Sequence, residues 1–362
     1  MWPFRKRPRH RRKYRQNHYL SDRQNNRHTT RQSTRHTARQ ATTLMLRKWL
    51  KLFAFALSCA LFFQACGGSA ELGSSDVSTG GSTLENTSEA VDANGKGDNS
   101  VDKIATEHSG DKPTPTPIAV AEPAVPVTGE AVTYATVAGE AVTGYLAQPE
   151  AAAANLPAVI AIHEWWGLNE NIEAMARRIA GEGYTVLAVD LYGNEIATEP
   201  AAAKDLLRSV MDNPGPAQDN LAQAAQFLKE EYGAPKLGVM GWCFGGNWSL
   251  RTGLLLKELD ALVIYYGQLI LAPEALDGLE APILGFFGEE DTSIPVEDVE
   301  NFEEILTGLG KSVEINLYPG VGHAFANPSG QNYDATAAED AWDKTTAFFT
   351  AQLGGNETQP AE

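Results

Sequence analysis

From about residue 131 to residue 353 the chain alternates two kinds of apolar spacing. Tyr134 to Val137 and Val142 to Ala147 alternate apolar with polar, and Ala138-Gly139-Glu140-Ala141 between them reads as the turn of a hairpin. Pro157 to Ile162 is a continuous apolar run, the pattern of a strand covered on both faces. Asn169 to Gly183 follows with apolar residues at helical spacing, Ile172, Met175, Ala176 and Ile179, closed by Gly181 or Gly183. Thr185 to Val189 is the next strand, and Thr198 to Met211 and Ala217 to Tyr232 are two helices separated by Asn213-Pro214-Gly215-Pro216. Lys236 to Met240 is again a strand, passing through a tight turn into a helix over Asn247 to Leu256. Leu262 to Tyr266, Ile283 to Phe287 and Val313 to Leu317 complete the strands, with a helix over Val296 to Leu309 and a closing amphipathic helix over Ala335 to Leu353. A hairpin followed by alternating strands and helices predicts an α/β domain, with a mostly parallel central sheet and helices on both faces.

Upstream the pattern is different. Trp49 to Phe63 is apolar apart from Lys51 and Ser58, too short to span a bilayer, and it runs into Gln64-Ala65-Cys66-Gly67. Basic residues, a short apolar core and a small residue before a cleavage point describe a secretory signal. Phe63-Gln64-Ala65-Cys66 resembles a bacterial lipobox, in which Cys66 would be acylated and become the new N-terminus. Met45 is a natural start for that signal, leaving residues 1–44 as a basic extension without a fold. Residues 67–129 are rich in Ser, Gly and Thr and then Pro, and read as a disordered tether. The organisation expected is therefore extension 1–44, signal 45–66, tether 67–129, folded α/β domain 130–354 and disordered tail 355–362.

Charge sharpens this division. Of the 29 Lys and Arg, 16 lie within residues 1–65 against one acid, Asp22, so the rest of the chain holds 13 basic and 45 acidic side chains. A body so acidic discourages anionic substrates at low salt; the alternative reading of the acidity is adaptation to a saline habitat. The basic extension alone has the charge for nucleic acid, but it precedes an export signal and has no basic face in the domain to work with.

Cys243 lies in Gly241-Trp242-Cys243-Phe244-Gly245, between a strand and a helix. That is the G-x-S-x-G elbow with cysteine for serine; the small residues let strand and helix approach around a strained nucleophile. A helix N-terminus also favours the thiolate. The alternative is a buried structural cysteine. Asp291 follows the next strand but one, three residues past Gly288, and His323 follows the last strand on a glycine-rich loop. Nucleophile, acid, base is the order of this fold, and the carboxyl ends of parallel strands are its reactive edge. Asp291 could otherwise be a helix cap and His323 a solvated loop residue. His163-Glu164-Trp165-Trp166-Gly167 follows the first buried strand, where the second oxyanion N–H is expected; Trp165 is the assigned donor beside Phe244. Glu164 lies on the same loop. A metal is not expected, because His163 and Glu164 lack H-E-x-x-H spacing and a completing ligand.

Together Gly241 to Gly246, Asp291 before Pro295, Gly322-His323-Ala324-Phe325 and His163 to Gly167 resemble the dienelactone hydrolase family, over Ala131 to Leu353. The resemblance implies an α/β-hydrolase fold, a Cys243-Asp291-His323 triad, no cofactor, and a Glu164 that helps activate the thiol. It also implies two substrate-binding arginines, one shortly after Asp190-Leu191-Tyr192 and one four residues past His323; this chain has Asn194 near the first place and Asn327 at the second. A neutral or weakly charged ester or lactone is thus the expected small-molecule substrate, hydrolysed by an exported enzyme held on the membrane through Cys66 or, alternatively, soluble in the periplasm or secreted, with a monomer as the default. A tethered binding protein without turnover and a redox thiol are the alternatives. The intact mass of the exported protein should correspond to an acylated chain beginning at Cys66; a mature chain retaining Arg5 to Arg39 would overturn the export reading.

Overall fold

The computed structural model describes residues 97–354, apart from 109, 117–121, 124 and 152–154. The extension 1–44, the signal with Cys66, the first part of the tether and the tail 355–362 lie outside the described residues.

Strands β1 (Val127–Val137) and β2 (Glu140–Pro149) form the antiparallel hairpin, turning at Ala138 and Gly139, both with positive φ. Behind them run β3 (Ala158–Ile162), β4 (Thr185–Val189), β5 (Leu237–Trp242), β6 (Ala261–Tyr265), β7 (Ile283–Gly288) and β8 (Val313–Tyr318). The eight make one sheet in the order β1-β2-β4-β3-β5-β6-β7-β8; β2 meets β4 antiparallel and every later pair is parallel. Every residue of β3 to β7 is buried, which explains their unbroken apolar runs, whereas the edge strand β8 is mostly half-buried. The chain leaves β3 toward β4 and then crosses back to β5 on the other side of β3. The order therefore reverses at β3 and β5, the place where open α/β sheets put their ligands.

The helices α2 (Glu170–Gly181), α3 (Pro200–Asp212), α4 (Gly215–Glu231), α5 (Phe244–Leu255), α6 (Pro273–Leu276), α7 (Val296–Gly308) and α8 (Ala335–Leu353) connect and cover the sheet. Capping explains two of the boundaries. Asn169 accepts from the Ile172 N–H at the start of α2, and Asp334 accepts from the Ala337 N–H at the start of α8.

The tether expectation is corrected at its C-terminal end. Residues Gly97–Glu107 form a helix, α1, and β1 begins at Val127, so ordered structure starts well upstream of residue 130. Val101 and Ile104 join the hydrophobic core at spacing i, i+3, and Asp102 pairs with Lys204 and Arg208 of α3. Composition misses this helix because its two apolar anchors are too few to bury anything alone. The surface they cover is supplied by residues far along the chain. Ile104→Ala should weaken this docking by about 2 kcal/mol. Amide hydrogen exchange across 101–107 should then accelerate by about thirtyfold while β3 to β7 stay protected.

Candidate active site

The position of Cys243 is made by the join of β5 and α5. Cys243 has φ 55 and ψ −112, a conformation that a non-glycine residue adopts only under constraint. The constraint is the tightness of the turn. A Cβ on Gly241 would stand 2.3 Å from the Gly245 carbonyl oxygen, and one on Gly245 would stand 2.2 Å from that of Ile162, so β3, β5 and α5 close on one another only with glycine there. The Cys243 N–H donates to the Tyr265 carbonyl (3.0 Å), fixing the turn to the neighbouring strand. Phe244 opens α5, so its N–H has no intrahelical acceptor.

Asp291 and His323 come together. Nδ1 of His323 lies 2.7 Å from Oδ2 of Asp291, both side chains buried. Asp291 Oδ1 accepts from the N–H groups of Ser293 (2.7 Å) and Ile294 (2.9 Å), which orients the carboxylate. With Nδ1 engaged, a ring nitrogen of His323 lies within 4.8 Å of the Cys243 sulfur, and its Nε2 is buried without a hydrogen bond.

The imidazole that does bond the sulfur is one that sequence reasoning missed. Nε2 of His108, just past the end of α1, lies 3.3 Å from Cys243 Sγ. Its Nδ1 lies 2.5 Å from Oδ2 of Asp111. The ring is fully buried, stacks on Trp165 at 5.0 Å and meets the His323 ring edge-on at 5.2 Å. The available signal was His and Asp three residues apart, before a proline-rich stretch.

Burial raises the Cys243 thiol, but the imidazoles of His108 and His323 outweigh it and bring it down to about 6. Burial likewise opposes charge on both rings. For His323 the Asp291 carboxylate and the sulfur prevail and hold it well above its ordinary value; for His108 the sulfur and Asp111 raise it to about 9. Burial pushes Glu164 up to about 8, so near neutral pH it is largely protonated. Its carboxyl accepts from Asn327 Nδ2 (2.8 Å) and from the Tyr266 hydroxyl (3.4 Å). Among the described residues these are its hydrogen-bond partners, and none joins it to Cys243. The place where an arginine was expected is thus filled by a buried amide that positions Glu164, while Asn194 turns to the Thr143 N–H on the hairpin.

His163 is structural. It accepts from the Leu191 N–H at Nε2 (3.1 Å) and donates from Nδ1 to the Glu164 carbonyl (2.6 Å), so both nitrogens are used and burial keeps it neutral. Among the described residues, donor atoms close enough to share a metal ion occur at His108, Cys243 and His323. His163 and Glu164 are not among them.

The sequence model of the dienelactone hydrolase family matches residues 142–353, more than half of the chain. Protein usf of Aquifex pyrophilus is 34% identical over 223 residues, covering 59% of this chain and 95% of its own length. A Salmonella typhimurium protein named "Putative carboxymethylenebutenolidase" is 33% identical over 232 residues, covering 60% of this chain and 85% of its own. Among solved structures, the "Putative Dienelactone Hydrolase" of Klebsiella pneumoniae superposes with a TM-score of 0.57 at 27% identity, over 62% of this chain and 98% of that one.

A thiol brought down to about 6 is mostly thiolate at pH 7, whereas an ordinary cysteine near 8.5 is only a few per cent ionised there. Alkylation of Cys243 by iodoacetamide should therefore rise through about pH 6 and be close to its plateau at pH 7. A rise centred above pH 8 would show that the imidazoles do not hold the thiolate.

Proposed function

The chain belongs to the dienelactone hydrolase family, and from that premise we propose that it hydrolyses carboxylic esters or lactones with Cys243 as nucleophile. The observation that carries this reading is a sulfur on a strained strand-to-helix turn facing an imidazole whose far nitrogen is bonded to a buried carboxylate. Thiolate attack on the acyl carbon gives a tetrahedral intermediate, whose oxyanion is held by the N–H groups of Phe244 and Trp165. Collapse expels the alcohol and leaves a thioester, which water attacks with His323 moving the proton; Asp291 orients the ring and stabilises its charge.

The substrate is read as neutral. Asn194 and Asn327 stand where cations would hold a substrate carboxylate, and the body of the chain carries a large excess of acid. The site of action is read as the cell envelope. Support for this is the segment from Met45 to Cys66, whose charge, apolar core and lipobox-like end suit lipid attachment on Cys66, with the chain beyond it as spacer.

A panel of neutral aryl and alkyl esters should be turned over by the wild-type protein, with loss of at least about 10³-fold in kcat for Cys243→Ala. Adding a carboxylate to the acyl group should lower kcat/KM. Equal rates for wild type and Cys243→Ala would end the hydrolase reading in favour of a tethered binding protein.

A further inference from the structure

We propose that His108 is a further catalytic residue of this site, which holds Cys243 as a thiolate and protonates the departing alcohol, while His323 activates water in the second half-reaction. This rests on the reading of Cys243 as the nucleophile. Two Asp–His pairs converge on one sulfur from opposite parts of the chain, Asp111–His108 and Asp291–His323; Nε2 of His108 lies 3.3 Å from it, and a ring nitrogen of His323 lies within 4.8 Å. A nucleophile and its base in hydrogen-bond contact, with a third group behind the base, is the arrangement that activates a thiol.

The ring is held as a working group is held. Oδ1 of Asp111 accepts from the Gln331 N–H (3.0 Å), so the carboxylate behind His108 is itself oriented. Trp165 stacks on one face of the ring. Glu107, next to it, accepts from Thr292 and Asn332, and its carbonyl accepts from Gln331 Nε2. These contacts reach the loops after β7 and β8 as well as the loop after β3. A residue that merely covered the sulfur would not require a buried carboxylate at its other nitrogen, since an uncompensated buried acid is costly. His108 also lies outside residues 142–353, so it is an addition to the part matched by the family.

The steps balance. The Cys243 thiol gives its proton to His108 Nε2; the thiolate bonds the ester carbonyl carbon; the carbon–oxygen bond to the alcohol breaks as His108 returns the proton to the leaving oxygen. Acylation removes the negative sulfur that, with Asp291, holds His323 charged, and its Nε2 proton leaves to solvent. Water then gives a proton to His323 Nε2 as its oxygen bonds the thioester carbon, the carbon–sulfur bond breaks, and the acid leaves; a proton from solvent recharges His108, which restores the thiolate and its imidazoliums. The titratable groups facing the sulfur are His108 with Asp111, His323 with Asp291, and Glu164, Tyr192 and Tyr266.

The test uses the full chain with His108→Gln and Asp111→Asn, measuring the pH profile of Cys243 alkylation by iodoacetamide and kcat/KM on a p-nitrophenyl ester and a simple ethyl ester. In His108→Gln the alkylation midpoint should rise by a pH unit or more. Hydrolysis of the ethyl ester should fall by about 10² or more, and of the nitrophenyl ester by less, because nitrophenolate leaves without a proton. Asp111→Asn should shift both in the same direction, and it decides the matter alone if His108→Gln does not fold. An unshifted alkylation profile, or hydrolysis unchanged or increased, would overturn the proposal and make the segment a cover. If wild type and Cys243→Ala hydrolyse equally, the hydrolase reading fails separately, and the alkylation shift still decides whether His108 holds the thiolate.

Discussion

The turn at Cys243 is the constraint around which the site is arranged. A residue with a side chain held at φ 55 and ψ −112 costs of the order of 1–3 kcal/mol, and it persists only where neighbours leave no alternative. Those neighbours are the backbones of β3 and α5, brought within reach by Gly241 and Gly245, and the Tyr265 carbonyl of β6. Once the sulfur is fixed at the carboxyl end of β5, parallel strands deliver the rest to the same edge. Glu164 follows β3, Tyr266 follows β6, Asp291 follows β7 and His323 follows β8.

Burial then decides which of these groups carry charge. In a dry site an unpaired charge is expelled, so each ionised group has to face its counter-charge. His323 has Asp291 and His108 has Asp111, whereas Glu164 has, among the described residues, the Asn327 amide and the Tyr266 hydroxyl as hydrogen-bond partners, and burial outweighs the two imidazoles and pushes it toward its neutral form. A neutral Glu164 does not compete with the sulfur for the imidazoles. The amide at position 327 thus keeps the Glu164 carboxyl in place, an effect not visible from the absence of an arginine.

Much of this was legible from local patterns. The buried strands announce themselves as unbroken apolar runs, and the positions of Cys243, Asp291 and His323 follow from strand ends and glycines, because the fold puts its reactive edge there. Helix limits moved by a few residues, most at α5, where the turn passes directly into helix at Phe244 instead of Asn247. His108 was not legible. Its helix carries two buried apolar anchors in a segment otherwise rich in Ser, Gly, Asp and Asn, and it meets the sulfur across a sequence separation of 135 residues. Periodicity reports a helix that can bury a face of its own; it does not report one whose partner surface is assembled by the rest of the domain.

The same pairing of charges bears on which substrates the site can hold. An enzyme that binds a carboxylate-bearing lactone needs a cation in excess of those used for catalysis. Here each imidazole at the sulfur already has a carboxylate on its other nitrogen, and the two positions where an arginine was expected carry asparagines that are bonded elsewhere. An anionic substrate that turned to either imidazole for a counter-charge would compete with Asp111 or Asp291, and displacing that carboxylate would remove the group that orients the ring. A neutral ester makes no such demand: its charge appears only in the transition state, where backbone N–H groups can meet it.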